Sequence, residues 1–256
     1  LFLALMAKRG EMGYTSAITA PVWGFQDVLF GGNDLTFKQE YGTYVMENIL
    51  FKISFPAEFH AQTAVEAAIN LHSVVKDRLD DIEKIVIETQ ESGDRIINKT
   101  GKLDNPADRD HCIQYMVAIG LIKGSLVADD YEDDVASMPK VDELRLKMEV
   151  VENERFTREY LEPEKRSIGN AIQVFFTDGT STQLESVDYP VGHRTRRAEG
   201  IPLLIEKFER YVSGHMSNNQ ARKILEVCSS QELFENTSVD DMMSLFYIQH
   251  EHLDVV

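Results

Sequence analysis

Basic residues are scarce in this sequence. Its 256 residues hold 26 Lys and Arg against 43 Asp and Glu, a formal charge of −17. That balance argues against a nucleic-acid binder, whose phosphate contacts need a basic surface. It also argues against adhesion to an anionic membrane. An acidic substrate would need a local basic pocket. Cysteine is scarcer still, with only Cys112 and Cys228. Two thiols without a Cys-x-x-Cys spacing cannot complete a four-cysteine iron–sulfur site. They leave room for one disulfide or, more simply, a reduced cytosolic protein. No apolar run approaches the roughly 20 residues that span a bilayer, and apolar Leu1–Met6 is too short for a signal sequence. Phosphate-cradling glycine loops, nucleophile elbows and internal repeats are also lacking.

What is present is an ordinary globular composition, 43% hydrophobic and 27% charged, enough for one sizeable core or two modest ones. Helical spacing predicts the end of a helix over residues 1–8, stopped by Gly10 and Gly13, and a helix from Thr15 to Phe30 closed by Gly31-Gly32. Asn48–Phe55 reads as a short strand ended by Pro56. His60–Leu79 is an amphipathic helix with His72 on its apolar stripe, where it reads as a satisfied core histidine. Ile82–Thr89 reads as a strand. Leu144, Leu146, Met148 and Val150 alternate with charged residues, the pattern of another. Ala171–Phe176 and Thr182–Tyr189 flank the hairpin turn Asp178-Gly179. After Gly200 the chain returns to helix, opened by Pro202 and followed by helices over 218–227 and 239–247. The outline is helical, then α+β, then helical.

Residues 105–115, NPADRDHCIQY, concentrate chemistry-capable side chains. Asn105 caps a helix, Pro106 suits its first position and Asp108 adds charge to its first turn. Arg109 offers bidentate carboxylate capture. His111 and Tyr115, four residues apart, share a helix face and reach a common point. The same spacing equally describes a capped surface helix whose tyrosine packs in the core. His193 with Arg194, Arg196 and Arg197 forms the one dense basic patch, read as a solvated charge run before a functional surface. His250-Glu251-His252 does not specify a metal site.

Four segments carry a resemblance: ALMAKRGEMGYTSAITAPVWGFQDVLF near the start, FKISFPAEFHAQTAVEAA, the 105–118 stretch, and YPVGHRTRRAEGIPLLIEKF. Together they resemble the MmgE/PrpD family, on its 2-methylcitrate dehydratase branch, from the first residues to about Glu226. Chains of that family are longer, and this one resembles their C-terminal half. With Leu1 in place of a start methionine, it reads as a fragment. The resemblance implies an α+β fold in which 48–192 form a smaller α+β domain inserted into a large helical domain, represented here by 1–47 and 193–256. It implies a homodimeric hydro-lyase of propionate catabolism that converts 2-methylcitrate, a small tricarboxylate, to 2-methyl-cis-aconitate without cofactor or metal. The compartment expected is the cytoplasm, or the mitochondrial matrix in a eukaryote. The alternatives are a cis-aconitate decarboxylase-like enzyme and an inactive fragment serving as an interaction module.

Such a dehydration needs an acid and a base, with cations to neutralise carboxylates. A decarboxylase relative has an active-site lysine near the turn that Lys52 precedes, and an active-site tyrosine matching Tyr115. The resemblance therefore implies Tyr115, Lys52 and His111 as catalytic residues and Arg109 and His60 as substrate ligands. His60 opens its helix at an end favourable to anions.

Overall fold

Ile82, Ile85 and Ile87 point inward along β1 (Ile82–Thr89), the strand around which the larger part of the chain is assembled. The computed structural model describes residues 1–37, 42 and 44–247, which fall into two compact units, within Leu1–Glu47 and from Asn48 onward.

In the first unit, α1 (Phe2–Lys8) ends before Gly10 as expected. The helix expected from Thr15 is much shorter, because α2 spans only Phe25–Phe30 and stops at left-handed Gly31. Pro21 explains the difference: it lacks an N–H and disfavours helical backbone at Ala20. Val22 then takes a φ of 72°. Phe2, Leu3, Val28 and Leu29 are exposed.

From α3 (Tyr44–Asn48) the chain runs on without forming the strand expected at Asn48–Phe55. No strand pairs with this segment among the described residues. Its Phe51 N–H donates instead to the Gly192 carbonyl at 3.1 Å. A 3-10 turn at Phe59–Ala61 leads into α4 (Gln62–Val75). After β1 come α5 (Glu91–Ile97), α6 (Pro106–Asp110), α7 (Ile113–Lys123), α8 (Asp133–Ala136) and α9 (Pro139–Leu146). Strand β2 (Met148–Glu152), α10 (Glu154–Leu161), β3 (Asn170–Phe176) and β4 (Glu185–Val187) follow.

The sheet order is β2-β1-β3-β4; β1 runs parallel to β2 and antiparallel to β3. Gly179, at φ 82°, closes the expected hairpin turn after β3, its N–H donating to the Phe176 carbonyl at 2.9 Å. Its return strand is shorter than predicted, with ladder pairing only over β4. The alternating run at 144–150 is divided between two elements. Pro139 opens α9, and Val141 and Leu144 reach the core on helical spacing, so strand begins only at Met148. Helix α7 is apolar on every side, as suits a central buried helix, and its first nine residues are all buried. It packs on α4, which also lies against β3 and β4.

The C-terminal helices are α11 (Arg197–His215), α12 (Asn218–Ser229), α13 (Gln231–Asn236) and α14 (Val239–Leu245). Pro202 lies inside α11 rather than opening it. Val212, Ala221 and Ile224 form a small separate core there with Phe208, Met216 and Leu245.

Candidate functional site

Asn105 caps α6 as its sequence suggests, accepting from the Asp108 N–H at 3.0 Å. The helix does not continue to Tyr115. Cys112 is extended, at φ −125° and ψ 105°, and α7 starts anew at Ile113. The buried Cys112 thiol donates to the Lys99 carbonyl of the 98–103 loop, which the side chain of Gln114 also joins, and Ile113 is buried in the core. His111 and Tyr115 therefore do not share a face.

Tyr115 and Arg109 line a cavity of about 620 Å³ between the 99–103 loop, the α8–α9 region and Met148. The Tyr115 hydroxyl donates to the Asp130 carbonyl at 2.5 Å, and its ring stacks on Tyr131. Burial pushes the phenol up to about 12, with the Asp130 charge adding to the rise and Arg109 opposing it. It keeps its proton and acts as a neutral donor. Arg109, 5% exposed, donates to the Tyr131 carbonyl at 2.5 Å and to Asp133 at 2.6 Å. Arg145 holds Asp142 and the Gly101 carbonyl. The Nε atoms of both arginines are buried without a hydrogen-bond partner. With Lys99 and Lys102, four cations line this cavity, each paired with a carboxylate: Lys99 with Asp108, Lys102 with Asp104, Arg109 with Asp133 and Arg145 with Asp142. Beneath it, the fully buried Asp130 carboxylate binds the Lys123 ammonium and the Val127 N–H.

A second group forms around His60. Glu58 accepts from the His60 backbone N–H at 2.8 Å, and its other oxygen lies 2.8 Å from His60 Nδ1. His60 Nε2 is 3.2 Å from the Tyr160 hydroxyl. Lys52 is exposed, its ammonium 5.5 Å from the centroid of Phe59, next to His60 in the chain. His111 is half-exposed, with Nδ1 at 3.1 Å from the Ala107 carbonyl, and its charge acts on Glu58. The five residues predicted from sequence thus divide into Arg109 and Tyr115 at the cavity and Lys52, His60 and His111 around the second group. Glu58, Tyr160, Lys99, Asp130 and Arg145 were not singled out in the sequence. Only Glu58 had a local signal, an acid two residues before a histidine at a helix start.

The basic patch is not a solvated run. Arg196 grips Glu66 and Glu199, Arg194 donates to the Glu164 carbonyl, and Arg197 reaches the Gly192 and Ile49 carbonyls while lying over Phe51. These guanidiniums tie segments together because each finds acceptors outside its own turn. His193 is buried against Tyr189, and burial, then the Arg194 charge, pushes its pKa down. His72 is half-buried and bonded to the Leu121 carbonyl. Cys112 and Cys228 are both free. His250 and His252 lie outside the described residues. No described helix is long and apolar enough to cross a membrane.

A mixed α+β unit with a cation-lined cavity and a carboxylate–imidazole–phenol group is chemically equipped to hold a small polycarboxylate and move protons. Residues 55–233 match the MmgE/PrpD C-terminal domain, and the chain belongs to that family. It is 55% identical over 247 residues to the mitochondrial 2-methylcitrate dehydratase of Yarrowia lipolytica, covering 95% of this chain and 47% of the relative. To the 2-methylcitrate dehydratase of Escherichia coli K12 it is 53% identical over 249 residues, 96% of this chain and 52% of the relative. A probable 2-methylcitrate dehydratase of Saccharomyces cerevisiae is 50% identical over 252 residues, 95% and 49% of the two chains. The chain spans about half the length of these curated relatives.

Proposed function

We propose that this chain forms the C-terminal half of a hydro-lyase that dehydrates 2-methylcitrate to 2-methyl-cis-aconitate in propionate breakdown. The observation that carries the reading is 53–55% identity, over 95% or more of the chain, to proteins named for that activity. In this reading residues 1–47 and 193–256 belong to a helical domain and 48–192 to an inserted α+β domain of a homodimer. Its place is the cytoplasm or the mitochondrial matrix.

The reaction removes a proton from the carbon bearing one carboxylate while the neighbouring tertiary hydroxyl leaves. Both events need proton transfer, and the carboxylate beside the developing carbanion needs nearby positive charge. Arg109 and the other cavity cations supply that charge, and Tyr115 supplies an uncharged donor when its hydroxyl turns from the Asp130 carbonyl to the substrate. His60, Lys52 and His111 are the groups for proton transfer and carboxylate contact on the second face. No iron–sulfur cluster is part of this scheme.

The test is formation of the conjugated alkene from 2-methylcitrate, followed by ultraviolet absorbance with chelator-treated full-length protein. Tyr115→Phe is expected to lower the rate about 100-fold while removing one buried hydrogen bond, worth about 1 kcal/mol. No alkene from folded full-length protein would sink the dehydratase reading. An undiminished rate in the variant would remove Tyr115 from the site.

A further inference from the structure

Glu58, His60 and Tyr160 come from two segments a hundred residues apart, yet they form one hydrogen-bonded line. The His60 and Glu58 side chains are only 14% and 16% exposed. Asn170 clamps the turn from behind, donating to the His60 carbonyl at 2.8 Å. Burial alone would raise the Glu58 carboxyl, but the hydrogen bonds and charge of His60, with the charge of His111, hold it below the usual carboxylate range. Glu58 is therefore an ionised, acceptor-only group. An acceptor 2.8 Å from Nδ1 requires that Nδ1 carry the proton. The lone pair of neutral His60 is then on Nε2, facing the Tyr160 hydroxyl.

Tyr160 fits either protonation state of the ring. Beside neutral His60 its hydroxyl donates to Nε2; beside the imidazolium it accepts from Nε2–H. Only the hydroxyl hydrogen turns, and no buried polar atom loses its partner. Nothing in a lone surface histidine would fix its tautomer in this way.

We propose that Glu58 and Tyr160 are positioning residues that hold His60 as a proton-transfer group of fixed Nδ1–H tautomer for the dehydration. This rests on the dehydratase reading above. The three groups are a carboxylate that orients, an imidazole that stores the proton and a phenol that accommodates both states.

Full-length protein labelled with 15N at histidine tests it by ring-nitrogen NMR at pH 8.5, with His60 assigned by the signals lost in His60→Asn. The expected wild-type spectrum has a protonated Nδ1 and an unprotonated Nε2 for His60. Glu58→Ala shifts His60 toward the Nε2–H form and lowers the dehydration rate about 100-fold. Glu58→Gln keeps an acceptor for Nδ1–H, retains the tautomer and recovers most of that loss. Tyr160→Phe keeps the tautomer, moves the Nε2 resonance and slows the reaction about 10-fold. A wild-type Nε2–H tautomer overturns the proposal without recourse to any variant. So does a Glu58→Ala protein that changes tautomer and keeps its rate. If wild-type protein shows the expected tautomer but makes no alkene, the dehydratase reading fails and the fixed-tautomer histidine stands.

Discussion

Gly192→Ala is expected to destabilise the protein by more than about 3 kcal/mol, at the far end of what a single added methyl group does. A Cβ built there lies 1.6 Å from the Phe51 carbonyl oxygen and 2.6 Å from its carbon. Both are backbone atoms, so no side chain can rotate away. Gly192 is itself buried, and its carbonyl accepts from the Phe51 N–H and from Arg197. Relief of the clash must therefore part the 49–53 segment from the 190–193 turn and break both bonds. Urea denaturation gives the stability, and hydrogen exchange at the Phe51 amide gives the local opening. Gly214→Ala is the control: nothing lies within 4 Å of its added Cβ inside α11, and a helical Gly→Ala change stabilises by about 0.5–1 kcal/mol. A Gly192→Ala protein as stable as wild type would show that these backbones are not in contact.

Arg109→Met is expected to cost about 2–4 kcal/mol and to loosen residues 128–137 selectively. Of the two bonds lost, that to Asp133 matters less, since the Asp133 side chain is 87% exposed and returns readily to water. The bond to the Tyr131 carbonyl is enclosed, and methionine leaves that acceptor unpaired. The Tyr131 hydroxyl is already buried without a partner, so this stretch has little polar satisfaction in reserve. Arg109→Lys should recover only part of the loss, because one ammonium cannot span the fork between the two acceptors. Faster exchange and protease cleavage within 128–137, with β1 still protected, is the expected pattern. Unchanged exchange there would mean that Arg109 does not anchor this stretch.

How much of this was legible depended on how local each cause is. Strand β1, strand β3 and the turn at Asp178-Gly179 follow from period-two burial and from a dipeptide suited to positive φ. Helix α4 follows from its stripe. The break at His111-Cys112 has no such mark: neither residue is glycine or proline, and the chain turns there because Arg109, Cys112 and Ile113 are all buried in one short stretch. Leu144–Val150 showed a true alternation, yet the helix start at Pro139 and the burial of Val141 and Leu144 claimed its first half. For the candidate site, Arg109, His111 and Tyr115 stood out by residue type, but their division between two groups did not. Glu58 and His60 are readable as neighbours. Tyr160 and Asp130 enter only through tertiary contact, and spacing along the chain contains no trace of it.

The strand order has a consequence for synthesis. Strand β1 sits between β2 and β3, and both partners are translated after it. When β1 leaves the ribosome, neither of its two sheet partners has been made. About sixty further residues must be made before β2 emerges, and about eighty before β3 does, about 12–16 seconds of elongation at the slower rates of synthesis. During that interval both hydrogen-bonding edges of an isoleucine-rich strand lack the partners that the folded sheet gives them. Chaperone protection of these edges therefore matters between the emergence of residue 89 and that of residue 176.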